Sequence, residues 1–144
     1  MSVEVGERHI PDTPQKRQLD ACWFAREAAL HTLDVCSNEK IFVPRFQKLT
    51  DKIIDLSIDI YMDVWDANDI WMDPKEPDPR NWEERSRLQE YAIRKCKKLL
   101  ALIGLARSKF HLRGKKVNYW SGKVIEAMRC IQRWHESDIR RYQK

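Results

Sequence analysis

The residues that first invite chemistry are acidic. Asp51, Asp55, Asp59, Asp63, Asp66, Asp69 and Asp73 recur at spacings of three or four residues. On a helix they share one arc of about 120°. A column of carboxylates can hold a metal ion. Di-iron bundles, however, use Glu together with Glu-x-x-His pairs that project into the core. This run contains no His, and its arc lies away from the apolar stripe of the same segment. It reads as a solvated face or one paired with a basic helix, and no metal site is expected. The four His are His9, His31, His111 and His135. No Ser or Cys has an obvious His and acid partner. Cys22, Cys36, Cys96 and Cys130 show neither a C-x-x-C pair nor zinc-finger spacing, so they read as small, reduced, buried hydrophobes. The sequence therefore predicts no catalytic residue, no cofactor and no enzyme.

The chemistry that stands out is basic. The 144 residues carry a formal charge of +5. Residues 1–79 hold nine basic and sixteen acidic side chains, and residues 80–144 hold eighteen and six. The first part is net −7 and the second net +12. Part of that excess remains after internal pairing, and a polyanion is the partner it suits. The candidate phosphate contacts are Arg94, Lys97, Lys98, Arg113, Lys115, Lys116, Lys123, Arg129, Arg133, Arg140 and Arg141. Lys and Arg used in this way give salt-dependent, sequence-independent binding. Tyr119 lies beside the basic loop and off the core arc, so it is the candidate for stacking on a base.

These groups must be placed by helices. The chain has only four Gly, too few for the tight turns of an all-β fold or for a glycine-rich nucleotide loop. Residues 1–13 read as a flexible polar tail, and 14–144 as one domain. The N-terminus shows no signal peptide and no apolar run reaches membrane length, so a cytoplasmic protein without a membrane partner is expected. Thr13-Pro14 is a helix start. The first helix runs to about Cys36, with Leu19, Trp23, Ala29, Leu30 and Leu33 as its apolar positions. The second runs from about Pro44 to Met72, with Leu49, Ile53, Leu56, Ile60, Val64, Ala67 and Trp71 as a core stripe about 80° wide.

A second apolar set on that helix, Ile54, Ile58, Tyr61, Trp65 and Met72, has no place in an isolated bundle. It is the expected oligomer interface. Three prolines at alternate positions make Asp73–Pro79 a turn. A third helix runs from about Asn81 to Phe110, closed by Gly114 and a basic cluster. A fourth runs from about Val117 to Tyr142, with Val117, Trp120, Val124, Ala127, Met128, Ile131 and Trp134 inward. The result is an all-α, antiparallel up-down-up-down four-helix bundle.

Two ordered runs carry a family resemblance. The first is Asn38-Glu39-Lys40-Ile41-Phe42 with Pro44-Arg45-Phe46, then Lys52-Ile53-Ile54-Asp55 and Asp59-Ile60-Tyr61. The second is Val117-Asn118-Tyr119-Trp120, then Val124-Ile125-Glu126-Ala127, Trp134, Ser137-Asp138 and Arg141-Tyr142. Over residues 20–142 the chain resembles bacterial four helix bundle proteins. Within them it most resembles the accessory variability determinant (Avd) family of diversity-generating retroelements. The resemblance implies a homopentameric barrel with a basic surface. It implies binding to the retroelement reverse transcriptase and to nucleic acid, template RNA and cDNA, in support of mutagenic retrohoming. It implies no catalysis by the accessory protein. Two other readings stand beside it: a generic RNA-binding bundle of the ribosomal RNA intervening-sequence type, and a structural protein–protein adaptor.

Overall fold

The structure is a computed structural model that describes residues 11–143. The tail expected over residues 1–13 lies mostly outside the described residues. Asp12 and Thr13 are described, and both are engaged. Thr13 Oγ1 accepts the Lys16 backbone N–H at 3.1 Å, and Asp12 pairs with Arg17 at 3.0 Å. Thr13 thus caps α1, Pro14–Cys36, and Pro14 occupies the first position, where no N–H is needed.

A short 3-10 turn, Pro44–Phe46, precedes α2, Gln47–Asp69. The helix stops before Met72 because Ile70 turns extended, and its carbonyl accepts from Arg85 Nη1 at 3.0 Å. Pro79 begins α3, Pro79–Phe110, with the Asp78 side chain accepting the Arg80 N–H at 2.9 Å. The helix ends on His111, which adopts the left-handed conformation at φ 55°. The expected glycine stop is therefore a histidine stop, and Gly114 instead opens α4, Gly114–Tyr142.

The four helices form a bundle, and no strand occurs among the described residues. α1 packs against α2 and α4, and α3 packs against α2 and α4, so the packing closes on itself. Arg17, near the start of α1, bonds Ser137, near the end of α4. Thr32, near the end of α1, accepts from Trp120, near the start of α4.

The core pairs small with large. α1 contributes Ala21, Ala25, Ala28 and Thr32, while α4 contributes Trp120 and Trp134. Alanines let the helix axes approach, and the indoles fill the space between them. Trp120 donates its N–H to Thr32 Oγ1 at 3.0 Å, so its polar edge is satisfied inside the core.

This pairing overturns the expectation for α1. Leu19 is 67% exposed and Trp23 is 54% exposed; Leu30 and Leu33 are also exposed, and only Ala29 of that set is buried. Their spacing is helical, but the stripe faces out, because the space inside is already taken by the tryptophans of α4. Two expectations near the end of α2 change as well. Trp71 is not core; it lies past the helix end and is 71% exposed. Met72 is not an interface residue; at 5% exposed it is buried in its own chain. The other inward stripes hold. Ile53, Ile60, Val64 and Ala67 are buried, with Leu49 and Leu56 packed against the core. On α4, Val117, Trp120, Val124, Ala127, Ile131 and Trp134 are buried, with Met128 half-buried.

Candidate nucleic-acid interface

The expected cations divide between two packed helices and the turn that joins them. Arg94, Lys97 and Lys98 stand exposed on the outer side of α3. Arg113 is exposed at the turn, and Lys115, Arg129, Arg133 and Arg140 are exposed along α4. Lys116, Lys123 and Arg141 are half-buried. Among the described residues, none of these eleven cations takes part in an ion pair. Each charge is thus free to meet an external anion.

The cations do not all share one surface. Lys116, Tyr119 and Lys123 gather at the seam of α1 and α4. Lys123 Nζ lies 5.3 Å from the Tyr119 ring centre, and His31 meets that ring edge-on at 5.0 Å. Burial and the neighbouring Lys123 hold the His31 pKa below its ordinary value, which favours the neutral ring. Tyr119 remains exposed, although one neighbour of its ring is already a cation. Farther along the same seam, Arg133 shares a small cleft with Asp12, Lys16, Arg17, Asp20 and Cys130. Lys16 and Arg17 are neutralised there by Asp20 and Asp12, so Arg133 is the surplus charge. Arg141 lies apart, in a cleft with Trp71, Met72 and Pro74, and its guanidinium stacks 4.8 Å from the Tyr142 ring centre.

The acidic column behaves as a surface. Asp51, Asp55, Asp59, Asp66 and Asp69 are exposed. Asp63 is half-buried and pairs with Lys95 of α3 at 2.8 Å. Burial raises the Asp63 pKa, and the Lys95 hydrogen bond opposes that rise. Among the described residues, no three His, Cys, Asp or Glu side chains converge as a metal site. Of the expected interface residues, Ile58 and Trp65 are exposed, together with Met62, while Ile54 and Tyr61 lie partly against the core.

Two constellations escaped the sequence reading. The first is a buried ion pair. Arg85 Nε donates to Asp138 Oδ2 at 2.7 Å, and Gln89 Nε2 donates to the same oxygen at 2.8 Å. The Arg85 guanidinium also stacks on Trp134, 5.0 Å from the ring centre. This cluster ties the start of α3, the end of α4 and the carbonyl of Ile70 into one knot. A signal existed: Asp138 falls one turn beyond Trp134, and Arg85 and Gln89 extend the Ala92–Cys96 stripe, so all three are polar at core positions.

The second constellation is Ser86, His135 and Glu90. Ser86 Oγ lies 3.0 Å from His135 Nε2, and Glu90 Oε1 lies 3.8 Å from that same nitrogen. A catalytic triad needs the acid on the opposite ring nitrogen, where it fixes the tautomer. Here both partners compete for one nitrogen, so the trio lacks triad geometry. Burial lowers the His135 pKa, and Glu90 partly opposes the shift. The thiols are also poor nucleophiles. Burial pushes Cys36 and Cys96 up to about 12 and Cys130 up to about 11.

Comparison with protein-family models, curated proteins and solved structures gives no match. Among the described residues, no helix is long and apolar enough to cross a membrane.

Proposed function

We propose that this chain is a non-enzymatic accessory protein of a diversity-generating retroelement. It binds the element's reverse transcriptase and holds template RNA or cDNA against it in the cytoplasm. The observation that carries this reading is the set of unpaired cations on α3, the 111–116 turn and α4. Phosphate is the ligand such an arrangement suits, because affinity then comes from released counterions and needs no catalytic geometry. The retroelement assignment rests on the Asn38–Tyr61 and Val117–Tyr142 runs that resemble the Avd family.

In this reading the helices alternate up and down. The Arg17–Ser137 and Thr32–Trp120 contacts support that arrangement for α1 and α4. The chain also assembles with copies of itself. Exposed Trp23, Leu30, Ile58, Met62 and Trp65 support this, since apolar side chains of that size on neighbouring helices call for a cover. A pentameric barrel follows from the family resemblance.

Co-expression with a retroelement reverse transcriptase, sought in the adjacent genes, tests the assignment. The expected result is a complex that co-purifies and carries RNA. Purification of each protein alone, with RNA binding intact, would favour the generic RNA-binding bundle instead.

A further inference from the structure

One cleft lies at the far end of the outer side of α3, where Leu105 and Lys109 fall on the same helical arc as Arg94 and Lys98. The 3-10 turn and first turn of α2 meet the last turns of α3 and border an open cleft of about 610 Å³. That size falls in the range that holds small ligands. Pro44, Phe46, Leu49 and Leu105 give apolar surface, Arg45, Lys48 and Lys109 give three cations, and Gln47 gives an amide. No carboxylate lines the cleft.

Two of the cations converge on one ring. Lys109 Nζ lies 4.3 Å from the Phe46 ring centre, and the Arg45 guanidinium carbon lies 5.7 Å from it. Among the described residues, neither these two nor Lys48 is in an ion pair. Three cations around one cleft, with no carboxylate lining it, favour an anionic ligand. The Phe46 ring also meets Phe110 edge-on, with centroids 6.1 Å apart. Leu105 adds an apolar side chain that is 56% exposed. The cleft therefore asks for a ligand with a flat apolar body and an anionic group.

We propose that this cleft seats one unpaired nucleotide of a single-stranded nucleic acid. The base lies over Phe46, Leu49 and Leu105, where stacking and apolar contact tolerate any base. The phosphate is held by Arg45, Lys48 and Lys109. The Lys109 stem is flexible enough to turn its ammonium from the ring to the phosphate. The Gln47 amide can both donate to and accept from a base edge. The proposal rests on the nucleic-acid reading above and adds to it a site for an unpaired base at the end of the α3 outer face. An acidic peptide meets the charge requirement but leaves the apolar floor uncovered.

The test is an NMR titration of the full chain with adenosine monophosphate, adenosine, inorganic phosphate and an acidic tetrapeptide. The expected result is saturable shifts of residues 44–49 and 105–109 with adenosine monophosphate, and weaker binding of the other three. Lys109→Gln should lower that affinity about fivefold or more, a loss fitting one charge-assisted contact. Leu105→Asp, at an exposed position, should lower it as well, while both variants keep the unmutated melting temperature. Phosphate or peptide binding as tightly as the nucleotide would overturn the proposal, as would shifts spread along α4. RNA binding on the same samples separates the two readings. If the nucleotide fails to saturate the cleft while RNA still binds, only the cleft proposal falls. If the nucleotide binds and RNA does not, the nucleic-acid reading falls, and with it the single strand as the ligand's source.

Discussion

At the residue scale, the Arg85–Asp138 pair is the sharpest feature of the bundle. Both side chains are buried, and Asp138 also accepts from Gln89. Removing one partner strands a charge away from water, so Arg85→Ala or Asp138→Ala should each cost about 3–5 kcal/mol in urea unfolding. Replacing both by Leu should cost less than either single change, because no charge is then left alone. Histidines set the pH response. His31 and His135 both have depressed pKa values in the fold, mainly through burial. The unfolded chain therefore takes up protons first, near the ordinary value of about 6.5. Stability from these two groups is present above that value and is lost as pH falls through it. Asp63, raised by burial, works in the opposite sense, and only in the more acidic carboxylate range. Thermal melts from pH 7.5 to 5 should show a falling midpoint, and the fall should shrink in His135→Gln. Neither feature follows from residue type alone, since one turn of helical phase decides whether Asp138 is solvated or buried.

At the element scale, α1 teaches the most. Its helix, its Thr13 cap and its Pro14 start are legible in the sequence, because local chemistry sets them. Its inward face is not legible, because that face is decided by another helix. Hydrophobic size points to Leu19, Trp23, Leu30 and Leu33, yet the tryptophans of α4 leave room only for alanine. Ala28→Leu should therefore overpack the core and cost about 1–3 kcal/mol. Leu30→Ala, the reverse change at an exposed position, should alter stability by no more than about 0.5 kcal/mol. Denaturant midpoints decide between these expectations. The same exposure has a second consequence. Trp23→Glu combined with Trp65→Glu should leave the fold intact and lower the mass of the assembly measured by light scattering. A monomer for the unmutated protein would remove self-association from the proposed function. The α4 stripe was readable because its own inward residues, Trp120 and Trp134 with Val117, Val124 and Ile131, are large and apolar.

At the scale of the whole molecule, the +5 charge conceals two unlike surfaces. α2 presents exposed carboxylates beside exposed Ile58, Met62 and Trp65, whereas α3 and α4 present cations such as Arg94, Lys97, Lys98, Arg129 and Arg140 that make no ion pair among the described residues. The charge imbalance between the chain's two parts was visible in the sequence. Which cations share a surface was not, since Arg141 turns to the Trp71 loop and Lys116 to the α1 seam only once the helices are packed. The most direct test is RNA affinity measured across a salt series. The expected result is a logarithm of affinity that falls linearly and steeply with the logarithm of salt. Arg94→Gln, Lys97→Gln and Lys98→Gln should each flatten the slope by about one unit. An affinity unchanged between low and moderate salt would contradict the basic face as the binding surface.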